Sequence, residues 1–185
     1  MMDARTDQSM NELFRRIPTL RGQGLVLKPL THDDEETLRM LVCSEAVYRF
    51  EPTFLYEKRY ADISRVIDGL YDECMKESLI LGIFQEELFC GLAEFYGFRA
   101  RVHKISTGYR LSEHCWGQGI ATRTLSLMVD YLYGETEIEI ITASTLPENK
   151  ASERVLMKND FQLVAAGADE DWGYESPLPT DKWIR

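Results

Sequence analysis

One stretch decides the fold of this chain: residues 106–133, STGYRLSEHCWGQGIATRTLSLMVDYLY. It begins like the end of a strand, continues as a short loop of small and polar residues, and ends as an amphipathic segment. Apolar residues recur there at helical spacing, namely Ala121, Leu125, Met128, Val129 and Leu132. The sequence therefore predicts a strand, a loop and a helix in direct succession.

Two glycines, Gly117 and Gly119, lie where the predicted helix begins. Because glycine lacks a Cβ atom, the backbone there can approach a bulky anion closely. The first turn of a helix also leaves its N–H groups without internal partners and carries the positive end of the helix dipole. This combination predicts a loop that binds a pyrophosphate. The spacing of the two glycines is equally compatible with an ordinary tight turn.

Two common nucleotide-binding loops do not match this stretch. The chain has no Gly-x-x-x-x-Gly-Lys-Ser/Thr sequence, which a Walker loop requires. Thr122 occupies the position at which the dinucleotide fingerprint Gly-x-Gly-x-x-Gly needs its third glycine. The loop is therefore expected to bind a phosphate-containing ligand of another kind.

The stretch resembles motif A of the GNAT acetyltransferases, which bind acetyl-CoA on an Arg/Gln-x-x-Gly-x-Gly/Ala loop. Trp116 stands at the Arg/Gln place, Gly119 at the glycine and Ala121 at the last small residue. The form Trp-Gly-x-Gly-x-Ala-Thr is similar to that of the RimJ/RimL-like branch, the ribosomal-protein N-terminal acetyltransferases. The resemblance implies an acyltransferase that uses acetyl-CoA as its cosubstrate.

A second stretch, residues 149–161, resembles the other half of a GNAT site. The family pattern is Asn-x-x-Ala/Ser-x-x-Val/Leu-x-x-Lys-x-Gly-Phe. It is matched here by Asn149, Ser152, Val155, Lys158 and Phe161. Asp160 replaces the usual glycine, which is a mild change if that residue adopts the left-handed conformation. With the strands between the two motifs, the resemblance covers residues 24–166 or so.

The resemblance implies an α/β (α+β) fold: a mixed, mainly antiparallel twisted sheet with a splayed parallel strand pair and helices on both faces. Local patterning predicts strands at 24–30, 78–85, 88–98, 105–111, 137–144 and 161–165, and helices after Thr31 and over 60–76, 121–132 and 149–158. Residues 167–171 read as an acidic turn, followed by a last strand broken by Pro177 and Pro179. We expect one domain over residues 21–185, preceded by a tail or short helix at 1–20.

In this family the pantetheine arm of CoA pairs with one strand of the splayed pair, and the pyrophosphate lies on the glycine loop. Carried over to this chain, the arm follows Tyr109, Arg110 and Leu111. The pyrophosphate contacts the backbone of Trp116, Gly117, Gln118, Gly119, Ile120, Ala121 and Thr122. Asn149 is expected to bond the arm, to cap its own helix, or to do both.

Candidate catalytic residues are less well marked. Many GNAT enzymes use a tyrosine on the second-motif helix as the acid, but Leu156 stands at that place. Ser152 is the RimL-like substitute, contacting CoA and protonating its thiolate, although a small packing residue fits the pattern equally well. Glu94 lies in mid-strand and is the candidate base, acting through a water. An inward-facing glutamate among apolar neighbours would have a raised pKa, whereas an outward-facing one would be solvated.

The amino-acid composition of the chain limits the classes of partner that it is expected to bind. The 185-residue chain carries 31 acidic and 21 basic residues, a net charge of −10, which argues against binding nucleic acid and weakly favours cationic partners. Four scattered cysteines and three histidines form no recognisable metal site. No apolar run reaches membrane-spanning length, so we expect a cytoplasmic protein without a membrane partner. A monomer and a homodimer are both compatible with the sequence.

Together these features predict acetyl-CoA-dependent transfer of an acetyl group to a primary amine, in particular the α-amine of a peptide or protein N-terminus. Two alternatives remain open at this stage. The acceptor could be a small amine, such as a polyamine, an amino acid or an antibiotic. Alternatively, because the usual tyrosine is absent, the chain could be a CoA-binding module without catalysis.

Overall fold

The computed structural model describes residues 16–51, 61–72, 78–172 and 175–185. These residues form an eight-stranded sheet in the order β1-β2-β3-β4-β5-β6-β8-β7. Neighbouring strands run antiparallel except β5 and β6, which are parallel. The strands are β1 Leu20–Gly22, β2 Leu25–Lys28, β3 Ser78–Gln85, β4 Leu88–Arg99, β5 Lys104–Leu111, β6 Ile140–Thr145, β7 Gln162–Glu170 and β8 Leu178–Ile184.

Five α-helices lie in the described residues. They are α1 Glu35–Val42, α2 Glu45–Tyr48, α3 Ile63–Asp72, α4 Ile120–Glu135 and α5 Lys150–Lys158. Short 3-10 turns precede α1, join β4 to β5, and follow β5 at Glu113–Cys115. The mixed, mainly antiparallel sheet with one parallel strand pair confirms the predicted fold class.

The two faces of the sheet are covered by different helices because each face carries its own apolar cluster. Helices α1, α2 and α3 pack on one face through Leu38, Leu41, Val47, Ile63, Val66, Ile67 and Leu70. Helices α4 and α5 pack on the opposite face through Ile120, Leu125, Leu127, Met128, Val129, Leu132 and Leu156. Four of the five residues that defined the predicted face of α4 are thus buried, and the fifth, Ala121, packs against the same cluster.

The parallel pair β5–β6 separates after three paired residues. The register runs from Lys104–Ile140 to Ser106–Thr142. Beyond that point β5 stays paired with β4 as far as Leu111, and β6 stays paired with β8 as far as Thr145. Each strand follows its antiparallel neighbour, so a fork opens between residues 107–111 and residues 143–145. This is the splayed pair that the sequence motifs implied.

Helix α4 follows β5 after a short loop, and hydrogen bonds anchor it to the hairpin of β1 and β2. Arg123 donates a hydrogen bond to the Gln23 carbonyl at 2.6 Å, and Gln23 Nε2 donates to Ser126 Oγ at 3.0 Å. These bonds hold the N-terminal half of α4 against the turn between β1 and β2. The guanidinium of Arg123 is therefore directed at this turn.

The C-terminal region departs from the prediction in two places. Strand β7 continues through Gly167 to Glu170, so the predicted acidic turn at 167–171 is wrong. Pro179 lies inside β8 opposite Asp169 and does not break the strand. Strand β7 is the sheet edge, and its residues from 162 to 167 are all exposed. An edge strand with so little burial lacks the alternation of apolar and polar residues by which strands are recognised.

Other differences are smaller. Strand β1 was not predicted, because three residues form too short a pattern to detect. Strand β6 begins at Ile140 rather than at residue 137. The predicted helix over 60–76 corresponds to α3, and its residues 60 and 73–76, like most of the predicted tail, lie outside the described residues. Among the helices that the structure describes, none is long and apolar enough to cross a membrane.

Candidate active site

The glycine loop has the conformation expected of an anion cradle. Gly117 and Gly119 both have φ of 73°, in the left-handed region that favours glycine. Gly119 is the N-cap of α4, and its carbonyl accepts the first helical hydrogen bond from Arg123 N at 3.1 Å. The N–H groups of the intervening first turn therefore lack intrahelical partners. A Cβ added at either glycine would meet no described atom within 4 Å, so the loop is open on its outer side.

Side chains of the loop hold it in shape from within. Trp116 Nε1 donates to the Leu111 carbonyl at 2.8 Å, and Gln118 Nε2 donates to the His114 carbonyl at 2.7 Å. Trp116 and Gln118 are themselves exposed, and Ile120 is buried. The Trp116 N–H donates to the Glu113 carbonyl at 3.1 Å, so the amides available to a ligand are those that follow it, at the start of α4.

Cys115 lies directly before the loop, where a thiol could be suspected of reacting with substrate. The residue is 2 % exposed and packs in the core beside Cys90. Burial raises the pKa of the Cys115 thiol to about 12, and Cys90 adds to the effect. Because the thiolate is the nucleophilic form, this cysteine is inert near neutral pH.

The fork between β5 and β6 is bounded by hydroxyl groups. Ser106 Oγ and Thr142 Oγ1 lie 2.9 Å apart at the last paired position, where the two strands part. Further along β5, the Tyr109 hydroxyl lies 3.0 Å from Ser152 Oγ on α5. Burial raises the pKa of the Tyr109 phenol, the bond to Ser152 acts in the opposite direction, and the charge of Glu51 reinforces the increase. The phenol is therefore neutral across the physiological pH range.

Asn149 begins α5. Its side chain accepts a hydrogen bond from Ser152 N at 3.1 Å, which confirms the predicted helix cap. The same bond fixes the backbone of Ser152 in the first turn of the helix. At the other end of α5, Asp160 has φ of 60°, so the residue that replaces the family glycine does adopt the left-handed conformation.

Asn159 joins the two motifs and was not identified from the sequence. It is 5 % exposed, and its Nδ2 donates to the Thr122 carbonyl at 3.2 Å and to the Val155 carbonyl at 3.0 Å. Arg185, near the end of β8, donates to the Asn159 carbonyl at 2.6 Å. The end of α5 is thereby held against the first turn of α4. A polar residue directly after a helix is common on protein surfaces, so the sequence offered no sign that this one is buried.

A charged cluster lies on the opposite face of the sheet. The Arg110 guanidinium, 8 % exposed, forms an ion pair with Glu94 and lies 3.9 Å from Glu51 Oε2. It also lies over the Tyr48 ring, 5.6 Å from the ring centre. Desolvation raises the pKa of Glu51, and the charge of Arg110 acts in the opposite direction. Glu94 thus faces a cation, whereas the sequence interpretation had considered only apolar surroundings or solvent for it.

The charged cluster lies beside the fork at Gly108 of β5. Gly108 pairs with Glu94 across the β4–β5 ladder, and a Cβ at Gly108 would lie 3.9 Å from Glu94 Oε2 and 3.6 Å from the Tyr96 ring. Successive residues of a strand point to opposite faces, so Tyr109 faces α5 while Gly108 and Arg110 face α1–α3. The opening therefore has hydroxyl groups on one side and a carboxylate on the other.

The proposed cofactor contacts thus lie on three elements: strand β5, the glycine loop and the start of α5. Tyr109, Arg110 and Leu111 line the open part of β5, and the loop residues 116–122 lead into α4. Ser152 and Asn149 lie in the first turn of α5, beside β5. The buried ion pair of Arg110 and the approach of Glu51 were missed. The alternation of side chains along a strand could have predicted that Tyr109 and Arg110 point to opposite faces of the sheet. Only the β4–β5 register shows that Arg110 shares its face with Glu94.

Comparison with known families identifies the chain. A family model described as the acetyltransferase (GNAT) domain matches residues 24–162, which include both motifs and the fork. The chain therefore belongs to the GNAT acetyltransferases, and it is an acyltransferase. The resemblance inferred from the two motifs is confirmed.

Relatives cover most of the chain. YoaA of Bacillus subtilis (strain 168), described as an uncharacterized N-acetyltransferase, is 25% identical over 168 residues, covering 89% of this chain and 93% of its own length. YjcK of the same organism, described as a probable N-acetyltransferase, is 33% identical over 152 residues, covering 77% of this chain and 82% of its own. Both are N-acetyltransferases by description.

Solved structures share the fold at low sequence identity. The apo RimL ribosomal L7/L12 α-N-protein acetyltransferase superposes with a TM-score of 0.76 at 18% identity, covering 92% of this chain and 95% of its own. A spermidine N-acetyltransferase from Vibrio cholerae, in complex with CoA and spermine, gives 0.70 at 12% identity, covering 89% and 96%. The fold is therefore shared by proteins described as acting on a protein α-amine and on a polyamine.

The cradle predicts the effect of a charge at its centre. We expect Gly119→Glu to abolish acetyl-CoA binding, because the new carboxylate would meet the pyrophosphate and glutamate disfavours φ of 73°. Isothermal titration calorimetry with acetyl-CoA measures the loss. Gly134→Glu makes the same change at the opposite end of α4, where a Cβ also meets no described atom, and should bind like the wild type. Equal affinity of the two variants would place the cradle elsewhere.

Proposed function

We propose that this chain transfers the acetyl group of acetyl-CoA to the α-amine of a peptide or protein N-terminus. The observation that carries the proposal is the fork, which opens beside the glycine loop and has a hydroxyl pair on one side and Glu94 on the other. A thioester threaded along β5 would present its carbonyl between these groups. The two sides of the opening supply the two proton transfers that amide formation from a neutral amine needs: one proton leaves the nitrogen and one reaches the sulfur.

The proposed binding of acetyl-CoA, the acetyl donor, is supported by the glycine loop and by the fork. The amides at the start of α4 suit the pyrophosphate of CoA, because they combine unpaired N–H groups with the positive end of the α4 dipole. The edge of β5 beyond Ser106 is not paired with β6, so its backbone groups can bond the amides of the pantetheine arm. Asn149 would add a side-chain bond to the arm while it caps α5.

The chemistry follows from the groups around the fork. The neutral amine attacks the thioester carbonyl, the C–S bond breaks, and its electron pair leaves with the sulfur. Glu94 accepts the proton that the amine nitrogen loses, through a water, and Ser152 donates a proton to the sulfur. Glu94 forms an ion pair with Arg110, and its carboxylate is the group on that side of the fork that can accept a proton. No net charge accumulates during the reaction.

We propose an α-amine as the acceptor because its ammonium form is more acidic than that of a lysine side chain. An α-amino group has a pKa of about 8, so a substantial fraction is neutral near pH 7, whereas a lysine with a pKa of about 10.4 leaves less than about 1% neutral. A carboxylate that is already held by a guanidinium is a modest base, and a modest base suits the more acidic amine. The similarity to a structure described as an α-N-protein acetyltransferase supports the same choice.

A small polyamine is the second candidate acceptor. Two carboxyl groups, Glu51 and Glu94, face one guanidinium on the acceptor side, and carboxyl groups suit a substrate with several ammonium groups. The fold is also that of a spermidine N-acetyltransferase. Spermidine therefore belongs in any acceptor assay of this chain.

Ser152 is predicted to act on the leaving thiolate. We expect Ser152→Ala to lower kcat about 10²-fold with little change in acetyl-CoA affinity, because only the proton donor is removed. Steady-state release of CoA thiol measures kcat, and calorimetry measures the affinity. Ser126→Ala, which alters a helical serine bonded to Gln23, serves as the matched control and should retain full turnover. An unchanged kcat in Ser152→Ala would leave Ser152 as a packing residue.

Glu94 is predicted to accept the proton of the amine. We expect Glu94→Gln to lower kcat/KM about 10²-fold at pH 7, since glutamine keeps the shape but accepts no proton. The defect should shrink as pH rises, because solvent base then removes the proton of the attacking nitrogen without help. Glu87→Gln removes the same charge from the β3–β4 turn and controls for net charge. A defect that is the same at pH 7 and pH 9.5 would contradict a role as base.

The acceptor class can be tested with paired peptides. Peptides with a free N-terminus should be acetylated faster than the same peptides blocked at the N-terminus but carrying a lysine, because more of the α-amine is neutral. Initial rates of thiol release at pH 7 provide the comparison, with spermidine as a third substrate. Equal rates for the two peptides, or faster acetylation of the lysine peptide, would reject the N-terminal assignment, as would acetylation of spermidine without acetylation of either peptide. Each of these results would leave the assignment as an acetyltransferase intact.

A further inference from the structure

A phenol hydroxyl is present at the fork although the helix that supplies one in many GNAT enzymes lacks it. Leu156 on α5 is 2 % exposed and packs into the core, so that position can offer no proton. Tyr109 instead approaches from β5, and its hydroxyl lies 3.0 Å from Ser152 Oγ. The phenol hydroxyl is thus supplied by strand β5 and not by helix α5, and it forms a hydrogen bond with the Ser152 hydroxyl.

Both partners of this contact are held in place by their own elements. Tyr109 lies in β5, whose pairing with β4 continues past it to Leu111, and its ring packs against the core on the α4–α5 face. Ser152 is fixed by the bond from its backbone N–H to Asn149 Oδ1. A hydrogen bond between two such groups has little freedom to change its direction. It therefore determines where the remaining hydroxyl hydrogen can point.

We propose that Tyr109 positions Ser152 for proton transfer: the phenol donates its hydrogen to Ser152 Oγ, which leaves the single serine hydrogen directed at the departing sulfur. This inference rests on the proposed role of Ser152 as proton donor. A serine hydroxyl carries one hydrogen, so an oxygen that accepts from tyrosine must direct its own hydrogen elsewhere. Burial keeps the phenol protonated, so Tyr109 remains able to donate across the working pH range.

Every proton transferred in the reaction is accounted for without ionisation of Tyr109. As the C–S bond breaks, the sulfur takes the electron pair and then the Ser152 proton, which forms the free thiol of CoA. The developing serine oxyanion is stabilised by the hydrogen bond from Tyr109 and regains a proton from water. The proton lost by the amine nitrogen passes to Glu94 and then to water. Tyr109 keeps its own proton throughout and is a positioning residue.

Four forms of the full chain test this inference: wild type, Tyr109→Phe, Ser152→Ala and the double variant. We expect Tyr109→Phe to lower kcat about 10-fold with KM for acetyl-CoA unchanged, because the ring is retained and only the hydroxyl is lost. The double variant should turn over no more slowly than Ser152→Ala alone, since a residue that acts through Ser152 has no effect once the serine hydroxyl is gone. Thiol release measures kcat, with acetyl-CoA and an N-terminal peptide as substrates.

Tyr131→Phe is the matched control. Tyr131 is a partly buried tyrosine on α4 whose ring packs edge-on against Phe95 with ring centres 6.1 Å apart, and its variant should retain wild-type kcat. Calorimetric titration with acetyl-CoA shows that each variant is folded and binds.

The outcomes separate the two claims. Independent, multiplicative losses in the double variant would overturn the positioning role while leaving Ser152 as the acid. A loss in Tyr109→Phe with full activity in Ser152→Ala would overturn both. A change confined to KM for acetyl-CoA, or wild-type kcat in Tyr109→Phe, would reduce Tyr109 to a packing residue of the CoA channel.

Discussion

The separation of β5 from β6 is the constraint on which the rest of the structure depends. The two parallel strands share three paired positions and then part at Ser106 and Thr142, because β5 remains hydrogen-bonded to β4 and β6 to β8. Backbone groups left unpaired inside a sheet need partners, and a ligand that itself resembles a strand can supply them. The opening in the sheet is thus a consequence of its own antiparallel pairing.

The two sequence motifs become one site because other residues join the elements that carry them. Asn159 ties the end of α5 to the first turn of α4, and Arg185 ties β8 to Asn159. Arg123 and Gln23 anchor α4 to the first hairpin. None of these residues occupies a position that the family patterns specify. The geometry of the fork, the loop and Ser152 therefore depends on contacts that lie outside the signature of the family.

The faces of the sheet divide the chemistry. On the α4–α5 face, Tyr109 meets Ser152, and on the α1–α3 face, Arg110 lies between Glu94 and Glu51. The division follows from the alternation of side chains along β5, with Gly108 leaving space at the point where the carboxylate approaches the opening. The proposed donor of protons and the proposed acceptor of protons are thereby kept apart by the thickness of one strand. Such a separation prevents the serine and the carboxylate from bonding each other directly.

The sequence by itself determined the local elements and the identity of the loop. Helical periodicity located α4, Gly117 and Gly119 marked the loop before it, and both β3 and β5 were predicted within one residue of their observed bounds. These features depend on neighbouring residues, so they can be read along the chain. The edge strand β7 could not, because exposure had removed its pattern. The ion pair of Arg110, the contact of Tyr109 with Ser152 and the burial of Asn159 join residues 16, 43 and 37 positions apart. Only the register of the sheet and the packing of α5 against β5 and α4 bring such residues together, which is why the tertiary structure alone decided the surroundings of each candidate catalytic group.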